Sequence, residues 1–325
     1  MSSFLRPLLL AGAVLGGLAS LPAHADTLRI GFQKSSTLLT VVKQQGTLEK
    51  ALAEKGTKVT WHEFPSGLPL LESLNVGNVD ISADVADTVP VFAQAAGAQL
   101  TYYALETPSP TAQAILVPQD SPLQSLADLK GKRVAVTKAA GSHYLLIAAL
   151  AKAGLTFSDI QPSYLTPADG RAAFENGNVD AWVTWEPFVS SAQLQQHART
   201  LSSGEGLASY QRYYLASSAY AEKHPEVLAV VFDTLRNTGR WIKDNPGEAA
   251  SLLGPLWGGL DATTVQQANA RRSYDVQPVT RESLAEQQAI ADAFLSAGLL
   301  PRKVDASDAG IWQPAAAGKA PAHSH

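Results

Sequence analysis

The sequence predicts an α/β protein of two lobes, each a mainly parallel sheet flanked by helices. Three observations lead there. Strand-like runs alternate with helix-like runs from Thr27 onward, which is the mark of βαβ units. Around residue 113 that alternation starts afresh. The tetrapeptide GNVD then stands twice, at Gly77–Asp80 and Gly177–Asp180, each time between an apolar helical run and a short strand-like run.

In order along the chain, TLRIGF (27–32) reads as a buried strand. LTVVKQQGTLEKALAEKG has apolar residues at a helical period and predicts a helix over 38–55, stopped at Gly56. VTWHEF (59–64) alternates apolar and polar residues, as a half-buried strand does. Pro65-Ser66-Gly67 turns into the helix LPLLESLNV, which GNVD closes. Glycine takes the left-handed cap without a steric penalty, and Asn and Asp suit the tight turn. VDISAD is the next strand, TVPVFAQAAGA a helix and LTYYAL a strand.

The second round opens with the strand AQAILVP (112–118), and SPLQSLADLKG is a helix-like connection capped by Ser125. KRVAVT (132–137) is a strand, and KAAGSHYLLIAALAKAG (138–154) is a loop that becomes a helix. IQPSYLTP leads to a helix from near Asp169, then come the second GNVD and AWVTWEPFV. RYYLAS (212–217) reads as the return strand, and from Ala219 to about Leu300 the pattern is mostly helical. The closing WQPAAAGKAPAHSH is rich in Ala, Pro and Gly and predicts disorder.

Residues 1–25 read as a secretory signal peptide: Arg6, a short apolar run, and the small-x-small site Ala23-His24-Ala25, with cleavage before Asp26. The 325 residues include no cysteine, which excludes a lipid-anchored Cys, a disulfide scaffold, a Cys nucleophile and a thiolate metal site. The mature length is enough for a core without staples and points to two domains. Formal net charge is −4 with the basic residues dispersed, so nothing argues for a nucleic-acid partner. The chain has no P-loop, no G-x-G-x-x-G and no G-x-S-x-G, and its histidines lack metal-site spacing. The expectation is a binding protein with no cofactor, no metal and no catalytic residues; the alternative is a secreted enzyme on the same two-lobed fold, against which the lack of a nucleophile–base pair, metal set or cofactor loop argues. His323 and His325 form a short H-x-H in the tail.

In open α/β sheets ligands bind beyond the carboxyl ends of the strands, and clefts between domains are favoured sites. Five stretches sit there. Gln33-Lys34-Ser35-Ser36-Thr37 follows the first strand and offers amide, ammonium and hydroxyl donors. Ser66 and Gly67 open a helix whose free N–H groups can face an anion, while Ser66 can equally serve as its cap. Ala140-Gly141-Ser142-His143 combines close backbone approach, a hydroxyl and a helix N-terminus, a set suited to an oxyanion. Ser142 and His143 point about 100° apart at a helix start and are poorly placed to share a proton. Trp185 and Glu186 end a strand that Pro187 stops; Trp185 can pack on a ligand's apolar part, and Glu186 can accept from a ligand or hold a Lys or Arg. In the first lobe Asp84 and Asp87 face the same cleft or cap a helix, with Asp87 the better cap.

These stretches resemble one family. RIGFQKSS, WHEFPSG, LNVGNVDIS, VPVFAQAAGA, LADLKGKRVAV, GSHYLL, IQPSYLTPADGRAAFENGNVDAW, LPRKVD and IWQP are similar to the aliphatic sulfonate-binding (SsuA) family of type II periplasmic binding proteins, and they span nearly the whole mature chain. Binders of taurine, nitrate and thiamine pyrimidine precursors share the fold and parts of these motifs. The resemblance implies lobe 1 over 26–112 plus 217–305, lobe 2 over 113–216, two crossover strands between them and a flexible tail over 306–325. It implies a monomeric periplasmic receptor that hands alkanesulfonates to the permease of an ABC importer for sulfur acquisition. The site residues it implies are Gln33, Ser35, Ser66, Gly67, Asp84, Ser142, His143, Trp185 and Glu186. Where relatives run through a Gly-containing segment, this chain has ISADVADTVP; the extra carboxylate leads to the expectation that Asp84 meets an amine or hydroxyl on a larger, zwitterionic sulfonate.

Overall fold

The computed structural model describes residues 26–315. The signal-peptide expectation for 1–25, His323, His325 and the tail beyond residue 315 lie outside the described residues. Among the described residues no helix is long and apolar enough to cross a membrane.

The first pass of the chain builds β1 (Thr27–Gln33), α1 (Leu38–Gln45), α2 (Thr47–Ala53), β2 (Lys58–Phe64), α3 (Gly67–Asn75), β3 (Ile81–Ser82), β4 (Val85–Ala86), α4 (Thr88–Ala95) and β5 (Leu100–Glu106). The single helix expected over 38–55 is two, because Gly46 takes φ 63° and turns the chain between them. Of the strand expected at VDISAD only Ile81-Ser82 pairs as β3; the chain breaks at Ala83-Asp84 and β4 follows just beyond.

The second pass builds β6 (Gln113–Val117), β7 (Arg133–Val136), α5 (Gly141–Lys152), β8 (Gln161–Tyr164), α6 (Pro167–Glu175), β9 (Ala181–Trp185), α7 (Phe188–Gln195) and β10 (Arg199–Ser203). Ser125 does cap, through a capping box with Asp128, but only a 3₁₀ turn over Leu126–Leu129. The chain then returns as β11 (Arg212–Ser217) and continues as α8 (Ser218–Lys223), α9 (Pro225–Asp244), α10 (Pro246–Leu256), α11 (Ala262–Ala270), β12 (Val276–Gln277), α12 (Ala285–Ser296) and β13 (Gly310–Ile311).

Two sheets result. The first has the order β12-β5-β11-β3-β1-β2, with β13 beside β5 and β4 beside β11; the second has the order β10-β6-β9-β7-β8. β1 runs parallel to β2 and β3, and β7 parallel to β8 and β9. β11 runs antiparallel to β3 and β5, and β6 antiparallel to β9 and β10. The return strand is therefore a central strand of the first sheet, and it begins five residues before the expected lobe boundary at 217. The segments that cross between lobes are 107–112 and 204–211, held side by side by Ser109 N–H to Ser209 O (3.1 Å) and Gly204 N–H to Pro110 O (3.0 Å).

The flexible tail expected from residue 306 is corrected in part. Ala306–Asp308 forms a turn, β13 pairs with β5, and Trp312 is buried against Phe232 with ring centroids 5.9 Å apart. A large aromatic with a core to enter outweighs the small residues around it. Apolar side chains fill both faces of each sheet. Leu28, Ile30 and Ile81 meet α1, α2 and α9 on one face of the first, while Leu70, Leu74 and Val89 pack on the other. In the second lobe Val134, Leu146 and Val183 form one core, and Ala135, Phe174 and Trp182 the other.

The two GNVD turns are built alike. Gly77 and Gly177 take φ 78° and 68°. The following N–H reaches back to close each helix, Asn78 to Ser73 O (3.0 Å) and Asn178 to Ala173 O (2.8 Å). Each Asp then clamps an arginine on the neighbouring strand. Asp80 accepts from Arg29 N–H (2.8 Å) and its guanidinium (2.6 and 3.0 Å). Asp180 does the same for Arg133 at 2.8, 2.9 and 3.2 Å. Both arginines also reach the glycine carbonyl of their own turn. The repeated tetrapeptide is thus a helix stop and a strand clip in one.

Asp80 is 10% exposed and Asp180 32% exposed, so the two clips differ in strength. We expect Asp80→Ala to cost about 2 kcal/mol, because a charge-assisted bond and a buried N–H partner go together. Asp180→Ala should cost about 1 kcal/mol or less, being more screened by solvent. Denaturant unfolding of the two variants checks the order.

Candidate functional site

The strand directions place the site. β1, β3 and β5 run to the edge where the chain crosses, and so do β7, β8 and β9. Carboxyl ends of both sheets therefore face each other across the crossing segments. Between them lies a cavity of about 10 Å³, roughly the room one water needs. Gln33, Ser66 and Gly67 wall it from the first lobe, Lys138, Gly141 and Trp185 from the second, and Tyr210 and Arg212 from the returning chain.

Two helices aim their N-termini into this cavity. Ser66 precedes α3 with φ −160°, and its hydroxyl makes no capping bond, so it stays available to the cavity. A Cβ at Gly67 would lie 2.9 Å from Val89 Cγ2, and one at Gly141 2.5 Å from the Tyr210 ring. Only glycine lets those two helix starts close in. The first N–H groups of each helix have no acceptor within it, and the helix dipole adds partial positive charge there. Arg212 and Lys138 add two formal positive charges, and no Asp or Glu is among the lining residues. Such a cavity suits an anion.

Gln33 is held by its own bonds: its N–H donates to Ser36 Oγ (3.1 Å) and its Nε2 to Asp84 O (3.1 Å). Ser35 lies one step outward, where its Oγ accepts from Trp185 Nε1 of the other lobe at 3.2 Å. Beyond that bond opens a chamber of about 360 Å³, walled by Lys34, Phe64, Pro65, Arg171, Phe188 and Trp257. Trp185 stands between the two spaces, its ring 5.9 Å from that of Phe188.

Four of the expected site residues do not line either space. Asp84 is fully buried and bonded to Arg212 Nε at 2.6 Å, with Arg272 at 3.2 Å. Burial works against its charge, but the two guanidiniums outweigh it and hold the carboxyl below the usual range. The expectation that Asp84 meets a ligand amine is corrected: its carboxylate does not line the cavity, and its Oδ2 is engaged by both guanidiniums. Glu186 is likewise turned away, accepting from Ser190 N–H (3.0 Å), Ser190 Oγ (2.8 Å) and Arg271 (2.6 Å). Burial raises its pKa even so, with Arg271 opposing. It ties the second lobe to α11 of the first, the arginine-holding alternative of the sequence reading.

Ser142 is fully buried behind Gly141, and its hydroxyl has no hydrogen-bond partner in the protein. His143 is fully buried too, because the helix turns it away from the cavity into an aromatic cluster. Its ring centroid is 5.0 Å from Phe294 of the first lobe, and 5.3 Å from both Phe157 and Tyr164 of the second. Nδ1 accepts from Ala139 N–H (3.1 Å), and Nε2 lies 3.4 Å from the Tyr164 hydroxyl. Burial, with Lys138 nearby, pushes its pKa down to about 3. Asp87 opens α4 by position but makes no side-chain cap. Burial, helped by Glu286, pushes its pKa up to about 7.

The sequence reading missed Arg212 and Lys138. Lys138 begins the loop before α5, where the glycine and hydroxyl of the helix start were the stronger signal. Arg212 had one usable signal: an arginine beginning a strand as apolar as RYYLAS needs a partner charge elsewhere. Among the described residues no group of three or more His, Asp or Glu is placed to hold a metal ion.

A neutral buried His143 has a sign for acid stability. Its folded pKa lies below the ordinary 6.5, so the fold loses stability as pH falls from 6.5 toward 3. Asp87, raised from 3.8 to about 7, works the other way over its own range. We expect His143→Phe to melt below the wild type at about pH 7 and to close that gap by about pH 5, where the wild type pays for protonating the ring. Thermal melts of both proteins across this range check it.

Comparison with known proteins shows the family and the fold. The family model of NMT1/THI5 like proteins matches residues 52–249. A putative aliphatic sulfonates-binding protein of Escherichia coli K12 is 42% identical over 307 residues, covering 92% of this chain and 95% of the relative. The crystal structure of the periplasmic aliphatic sulphonate binding protein from Escherichia coli superposes with a TM-score of 0.80 at 43% identity, covering 88% of this chain and 97% of that one. The alkanesulfonate-binding protein of Xanthomonas axonopodis pv. citri, solved bound to MOPS, gives 0.83 at 41% identity over 88% and 98%.

Proposed function

The chain belongs to the aliphatic sulfonate-binding protein family, and we propose that it holds an organosulfonate by its head group in the acid-free cavity between the lobes. It is a periplasmic solute receptor for an ABC importer and makes or breaks no bond in its ligand. It works as a monomer that presents the closed, loaded form to the permease. One observation carries the site reading: two cations and two helix N-termini converge on one cavity, and no carboxylate lines it.

A sulfonate spreads one negative charge over three oxygens. Ser66 Oγ and the first-turn N–H groups of α3 supply donors from one lobe, and those of α5 supply them from the other. Arg212 and Lys138 neutralise the charge. Gln33, pinned by Ser36 and Asp84, fixes the rim. A cavity of about 10 Å³ cannot admit a sulfonate as it stands, so the lobes part for entry and close around the head group. The organic tail leaves past Trp185 into the larger chamber, whose Phe64, Phe188 and Trp257 give apolar cover.

Calorimetric titration with ethane- to octanesulfonate, taurine, nitrate and sulfate tests the reading. Micromolar or tighter binding of alkanesulfonates with sulfate silent is the expected result. Heat with nitrate or sulfate alone would overturn it. Lys138→Gln should weaken every sulfonate about tenfold, the loss of about 1.4 kcal/mol. Trp257→Ala should leave ethanesulfonate within about twofold and weaken octanesulfonate about tenfold, because only a long tail reaches that wall.

A further inference from the structure

Two arginines and two carboxylates meet beneath the cavity, and only one of the four faces it. Arg212 lines the wall. Arg272, Asp84 and Glu106 are 3, 0 and 1% exposed and do not. Arg272 bridges the two acids, reaching Asp84 at 3.2 Å and Glu106 at 2.6 Å, and Tyr214 adds a bond to Glu106 at 2.7 Å. The formal charges cancel: two arginines against one aspartate and one glutamate.

That balance matters for an anion. Asp84 sits 2.6 Å from the Arg212 guanidinium, and its Oδ1 has no hydrogen-bond partner to spread its charge further. Seen from the cavity, Arg212 paired with Asp84 alone is a dipole, with its cationic end diluted by the acid behind it. Glu106 adds a second negative charge on the same side. In a buried setting such fields are weakly screened. Arg272 is the group that offsets them.

We propose that Arg272 is a positioning residue for anion binding: without touching the ligand, it neutralises Asp84 and Glu106 so that Arg212 meets the head group as a cation. The proposal rests on the anion reading of the cavity. It also gives the cluster a place in closure. Glu106 is the last residue of β5 before the first crossing, and Arg212 is the first of β11 after the second.

Charge and architecture predict opposite signs for one variant, which supplies the test. Butanesulfonate is titrated into the wild type, Arg272→Gln, Glu106→Gln and the double variant, with thermal melts alongside. Arg272→Gln should bind at least about tenfold more weakly. Glu106→Gln should bind about threefold more tightly even though it melts lower, because an acid has left the anion's surroundings. The double variant, neutral again, should return to within about threefold of the wild type. A Glu106→Gln protein that binds more weakly, or a double variant no better than Arg272→Gln, overturns the proposal. Should Arg272→Gln fail to fold, the sign for Glu106→Gln decides alone. Silence of the wild type toward butanesulfonate overturns the anion reading itself, and the proposal with it.

Discussion

A chain that leaves one sheet at the carboxyl end of a strand and enters a second sheet from the same side has to run antiparallel there. β5 delivers the chain to the crossing edge, so β6 runs away from it; β10 delivers it back, so β11 runs away again. Much follows from this constraint. It brings the carboxyl ends of β1, β2, β3 and β5 and of β7, β8 and β9 to one gap, and it puts the amino ends of β6 and β11 there too. Arg212, at the start of β11, can therefore stand beside the loops of β1 and β3 although most of the chain's second lobe separates them in sequence.

The same constraint explains why charge collects under the gap. Residues at the crossings are shielded by two lobes at once, so a charged side chain there needs a partner of opposite sign nearby. Arg212 finds Asp84, Arg272 finds Glu106, and Arg271 finds Glu186 across the lobes. The cavity wall itself keeps its two cations and no acid. Acids are abundant one layer back and absent in front, an arrangement that lets the protein bury cations stably and still present positive potential to a ligand.

What was legible in the sequence was local. The alternation of strands and helices, the restart near residue 113 and the double GNVD all depend on residues within a few positions of each other, and each names its own element. The glycine-opened helix starts at Ser66-Gly67 and Gly141 were legible for the same reason. The pairing of Arg212 with Asp84 spans 128 positions and that of Arg271 with Glu186 spans 85, so no window of sequence contains both partners. His143 shows a different limit. Its place at a helix start was plain, but which way the third residue of that helix turns depends on the aromatic rings waiting on each side, two of them from the other lobe. Trp312 was hidden by its neighbours: in a stretch of Ala, Pro and Gly, one aromatic decides whether a segment docks.

The paired Arg–Asp clips act far from the gap. Each fastens the strand next to the edge of its sheet to the turn that ends a helix, so a load applied to one layer of a lobe is shared by the other. The two crossing segments are fastened differently, to each other and outward to the lobes: Thr107 and Ser109 bond to residues 273–275, Ser209 to Glu286, and Ala112 to Glu186. For two lobes stiffened in this way, the angle between them is a single mechanical coordinate, readable from the outer faces without contact with whatever lies in the gap.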